Sequence, residues 1–70
     1  MRLTDPLKTA WARTTRNARA ALDLNQTEFG SLFGVTPKAV RDWEHGRTLP
    51  SAVHRERLVK LAVDLGIVVQ

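Results

Sequence analysis

The sequence predicts an all-α fold, a small bundle of four short helices, and three observations carry that prediction. Capping residues and helix breakers punctuate the chain: Asp5-Pro6, Asn25, Thr36-Pro37 and Ser51 open four segments, and Gly34, Gly46 and Gly66 close the last three. Within those segments the apolar residues return at helical spacing and do not alternate. The one run of β-branched residues is Ile67-Val68-Val69, so a short C-terminal strand is the most β structure the chain offers.

In the first helix, Asp5 is placed to accept from the free amides of the first turn, and Pro6 has no amide to leave unsatisfied. The helix should run to about Leu22, burying a stripe of Leu7, Trp11, Thr15, Ala18 and Leu22. Lys8, Arg13 and Arg16 fall off that stripe, whereas Arg19 lies on its edge, where an unpaired guanidinium is costly to desolvate. The second helix starts at Asn25, with Glu28 as the other half of a capping box and Phe29, Leu32 and Phe33 as its apolar face. Gly34 ends it, and Thr36-Pro37 opens a third helix after a very short turn. There Val40 and Trp43 face inward before Gly46 stops the helix. Leu49-Pro50 bars continuation, and Ser51 caps a fourth helix running through Val53, Leu58, Leu61, Ala62 and Leu65 to Gly66.

Seventy residues allow one domain, residues 1–70, with no linker or repeat. A chain 43% hydrophobic and 26% charged can form a core, and without cysteine it must do so by packing alone. No run approaches a membrane span or the apolar stretch of a signal peptide, which makes the cytoplasm the expected address. The basic stretch from Lys8 to Arg19 has too little apolar area for a membrane surface. Eleven Lys and Arg against seven Asp and Glu leave a net charge of +4, which favours a polyanionic partner. Catalytic and metal readings have little support. His45 and His54 stand without cysteine or a paired acidic cluster and read as surface residues, and no cofactor motif is present.

Two short helices joined by a tight turn containing Gly define a helix-turn-helix, whose second helix enters the major groove of DNA. The segments Leu24-Asn25-Gln26-Thr27-Glu28-Phe29-Gly30, Phe33-Gly34-Val35-Thr36 and Val40-Arg41-Asp42-Trp43-Glu44-His45-Gly46-Arg47 stand in order at fixed separations. Together they resemble the phage repressor and Cro family, also called the Xre family, over about Arg13 to Ser51. The resemblance implies a lambda-repressor-like bundle that binds double-stranded DNA.

Carried over by position, the resemblance gives Gln26 a phosphate contact that steadies the recognition helix, with Asn25 offering its amide to the same phosphate. It pairs Arg19 with Glu44 at the end of the recognition helix, which would relieve the desolvated arginine. Thr36, Pro37, Lys38 and Asp42 take the groove-facing positions, and Arg47 is aimed at phosphate. The commonest family pattern has Gln or Ser near Pro37 and Lys38; Pro37 can only pack on a thymine methyl. Lys38 and Arg41 read as base or phosphate contacts, with a solvated helix face as the rival. Asp42 would repel phosphate unless it accepts from cytosine N4 or holds Lys38 or Arg41, and the holding role is favoured. Trp11 and Trp43 read as core residues.

The leading functional reading is a sequence-specific homodimeric repressor or autorepressor, of a phage, mobile element or similar operon, bound to a pseudo-palindromic operator. Residues 51–70 are the expected dimerisation helix and tail, with Leu58, Leu61, Leu65, Ile67, Val68 and Val69 at the interface. The alternative is an antitoxin or adaptor that uses the same fold mainly to bind a partner protein, a toxin or a regulator. Lys38, Arg41 and Arg47 argue against a module without DNA binding.

Overall fold

Helix boundaries in this chain are set by side chains that satisfy the first free amides and by backbone that turns left-handed at the far end. A computed structural model describes residues 6–67. They form α1 (Pro6–Leu22), α2 (Gln26–Phe33), α3 (Pro37–Glu44) and α4 (Ala52–Asp64). Among the described residues there is no strand; the short strand expected at the C-terminus falls, apart from Ile67, outside them, as does the Asp5 cap.

The capping box of α2 is complete. The Asn25 side chain accepts from the Glu28 amide at 2.8 Å, and the Asn25 amide donates to the Glu28 carboxylate at 2.9 Å. Thr36 accepts from the Ala39 amide at 3.1 Å ahead of Pro37, and Ser51 caps α4. Gly34 takes a φ of 69°, a conformation glycine adopts at no steric cost, and the Val35 amide then returns to the Gly30 carbonyl at 2.9 Å. At the end of α1 no glycine is available, so Asp23 turns left-handed instead, with φ 57°.

α1 packs on α3 and α4, and α2 packs on α3. Their shared core is Ala18, Phe29, Phe33, Val40, Trp43 and Leu58, with Trp11, Leu22, Leu24, Val35, Leu61, Leu65 and Ile67 packed around it. The Phe33 ring lies 4.9 Å from that of Phe29 and meets Trp43 edge-on at 6.1 Å. Thr15 is fully buried because its hydroxyl donates to the Trp11 carbonyl at 2.7 Å, which satisfies it within its own helix.

Three residues of the expected apolar faces are not buried. Leu7, Leu32 and Val53 are each at least half exposed. A bundle of short helices covers only part of each apolar stripe, and these three side chains lie on the uncovered part. A fourth correction concerns the expected dimer interface: Leu58 is 0% exposed and belongs to the core of its own chain, so it has no surface to offer a second copy. Leu61, Leu65 and Ile67 are partly buried against the same core, and Val68 and Val69 lie outside the described residues.

Candidate nucleic-acid interface

α3 has two unlike faces. Val40, Trp43 and Glu44 are buried, while Lys38 and Arg41 are exposed on the helix, beside Thr36 and Pro37 at its start and Arg47 just past its end. The turn joining α2 to α3 passes so close to α2 that a Cβ at Gly30 would come within 2.7 Å of the Val35 carbonyl oxygen. A glycine there lets the two helices meet at the angle that presents α3 outward.

The buried carboxylate of Glu44 anchors the back of α3. Arg19 donates to it through Nε at 2.5 Å and through Nη2 at 3.1 Å, and its remaining Nη1 donates to the Leu24 carbonyl at 3.0 Å. One side chain of α1 thus holds both the α1 to α2 turn and the last residue of α3. The hydrogen bond to Glu44 raises the Arg19 pKa above the ordinary arginine value. Gln26 also donates to Glu44, at 3.2 Å, and the Arg16 guanidinium donates to the Glu44 main-chain carbonyl. That last bond places a cation on a free carbonyl at the negative end of α3.

The structure brings Lys38, Asp42 and Arg47 together. Lys38 Nζ donates to Asp42 Oδ2 at 2.9 Å, and Arg47 donates to Asp42 Oδ1 at 3.4 Å. The Lys38 hydrogen bond, aided by the charges of Lys38 and Arg47, holds the Asp42 carboxyl below its ordinary pKa. Arg41 is not part of this group; among the described residues it has no carboxylate partner. Asn25 spends its carbonyl on the capping box and keeps its side-chain amide, and Thr36 keeps a hydroxyl hydrogen while its oxygen caps α3. Pro37 is exposed at the first turn with no polar group to offer.

Several contacts carry no signal in the sequence beyond their spacing. Arg16 reaches α3 because it stands one turn from Arg19 on the same side of α1. Arg57 of α4 donates to the Leu32 carbonyl at 2.6 Å and lies 4.9 Å from the Phe33 ring centre. His54, expected at the surface, is only partly covered. Its ring is half-buried 5.4 Å from that of Trp43, within 2.9 Å of the Ser51 hydroxyl. Among the described residues no group of acidic, His or Cys side chains is placed to hold a metal ion, and no helix is long and apolar enough to cross a membrane.

A family model described as helix-turn-helix matches residues 16–67, which takes in α4 as well as most of the stretch from Arg13 to Ser51. Comparison with curated proteins gives no match, and neither does comparison with solved structures.

Proposed function

Since this chain belongs to the helix-turn-helix family of the Xre and Cro type, a DNA-binding family and not one of enzymes, we propose that it is a sequence-specific transcriptional regulator. In this reading it is a homodimeric repressor on a pseudo-palindromic operator, and α3 is the recognition helix. The observation that carries it is the division of α3: its inner face is fixed by Val40, Trp43 and the knot at Glu44, and its outer face offers Lys38 and Arg41 with Arg47 adjoining. A helix held from behind can enter a major groove in one orientation, so that Lys38 reaches guanine N7 and O6 while Arg41 and Arg47 lie near the backbone. Thr36 and the Asn25 amide supply neutral donors for phosphate. Gln26 bonds Glu44 and so favours a role in setting the angle of α3 beside the phosphate contact its position implies.

Two copies related by a two-fold axis would place two recognition helices about 34 Å apart, one turn of duplex. Support for the pairing comes from α4, which leaves Val53 and Val63 open to solvent. Selecting bound sequences from a pool of random duplexes tests the whole reading. Enrichment of an inverted repeat with centres about 10 base pairs apart is the expected result. An enriched single half-site would remove the dimer, and a pool with no enrichment would remove sequence-specific recognition.

A further inference from the structure

Asp42 is an acid on a face that otherwise offers cations to a polyanion. Its carboxylate is the covered member of the cluster: the Asp42 side chain is 14% exposed, against 74% for Lys38 and 64% for Arg47. Each carboxylate oxygen already accepts from one of these cations, which leaves the two positive groups between Asp42 and the solvent side of α3. A residue so placed is poorly disposed to reach cytosine N4 itself. It is well disposed to decide where Lys38 and Arg47 stand.

We propose that Asp42 is a positioning residue for selectivity: by holding Lys38 and Arg47 at the two ends of the outer face of α3, it restricts them to a matched register on DNA. The proposal rests on the reading of α3 as the recognition helix. An ammonium group has three N–H donors, so Lys38 keeps two for base acceptors while one stays on Asp42. Arg47 likewise keeps donors for one phosphate. On an unmatched duplex the same cations must leave Asp42 to follow phosphates elsewhere, and the exposed carboxylate then repels the backbone. Asp42 therefore works against indiscriminate binding more than against the matched site.

The test compares the 70-residue chain with Asp42→Asn, Asp42→Ser and Asp42→Glu, each titrated with the selected duplex and with a random duplex of equal length over a range of salt. A neutral side chain should tighten binding to random DNA roughly 3- to 10-fold and steepen the salt dependence by about 0.9, the increment for one further phosphate neutralised. The preference for the selected duplex should fall about tenfold, and Asp42→Glu should retain it. Two neutral replacements are used so that a folding defect in one leaves the other to decide, with thermal melting run alongside. If the neutral variants lose only the selected duplex, with random binding and salt slope unchanged, Asp42 reads a base and the proposal fails. Equal weakening on both duplexes makes it a structural residue and also overturns it. Wild-type protein without affinity for any duplex removes the reading of α3 and this proposal together, a result distinct from selective wild-type binding that the neutral variants reproduce.

Discussion

Arg19 and Glu44, 25 residues apart, meet through two hydrogen bonds, and this pair joins the middle of α1 to the last residue of α3. Its members are unequally placed: the Glu44 side chain is 5% exposed and that of Arg19 is 28% exposed. Arg19→Met strands a buried carboxylate with only Gln26 left to donate to it, and should cost about 3 kcal/mol. Glu44→Leu leaves Arg19 its bond to Leu24 and access to water, so the loss should be smaller. The double variant should recover part of the Arg19→Met loss, because a buried pair is replaceable by apolar groups more readily than half of it is removable. Urea denaturation of the three variants checks this, and equal, small losses for both single changes would contradict it.

Asp23 closes α1 in the left-handed region that glycine occupies freely. Asp23→Gly should therefore raise stability by a few tenths to about 1 kcal/mol, the relief of local strain outweighing the added freedom of the unfolded chain. A lower melting temperature would mean that the exposed Asp23 side chain contributes more than its backbone costs.

Gly30 sits inside α2, where alanine is ordinarily worth about 1 kcal/mol in helix propensity. The opposite outcome is expected here. A Cβ at 2.7 Å from the Val35 carbonyl meets backbone, which cannot rotate away, so Gly30→Ala should destabilise by about 1 to 3 kcal/mol net. Because the displaced element is the turn into α3, binding to the selected duplex should weaken in the variant even at temperatures where circular dichroism shows it folded.

These cases show which parts of the molecule a sequence declares. Asn25 with Glu28, Thr36 before Pro37, and Ser51 mark helix starts because capping is chemistry within four residues. The width of each buried face is decided by neighbours that local spacing does not contain, hence Leu7, Leu32 and Val53 in solvent and Leu58 in the core. The outer face of α3 follows from its register once Val40 and Trp43 are inward. Partners chosen by long, flexible side chains do not follow: Asp42 takes Lys38 and Arg47 and not Arg41, and Arg16 turns onto the Glu44 carbonyl.

The Asp42 carboxyl is held below its ordinary value by the hydrogen bond and charge of Lys38, against the opposing effect of burial, and after them by Arg47. A group whose pKa is depressed on folding contributes stability that is present above the unfolded value of 3.8 and is lost as pH falls through the folded value. Melting temperatures followed from about pH 5 to about pH 2 should fall more steeply for the wild type than for Asp42→Asn. Parallel curves would show that the two cations do not bind Asp42 in solution as they do in the structure.

Pairing of two copies is tested most directly on α4, where Val53 is 65% exposed and Val63 66% exposed while Leu58, on the opposite face, is fully buried. Around those two valines the exposed face carries Glu56, Arg57, Lys60 and Asp64, a mixed surface suited to the rim of an interface with apolar points inside it. Val63→Asp removes one such point without opening the core, so it should leave the monomer's denaturation midpoint nearly unchanged. If two copies meet on this face, the variant should sediment as a monomer at concentrations where the wild type does not. Its affinity for an operator of two half-sites should then fall far more than its affinity for one. Leu58→Ala is the necessary contrast, since a buried leucine cut to alanine should cost about 2 to 5 kcal/mol and weaken both duplexes through loss of folded protein. A wild-type chain that stays monomeric at tens of micromolar and binds one half-site as tightly as two would place the homodimer outside this protein's mechanism.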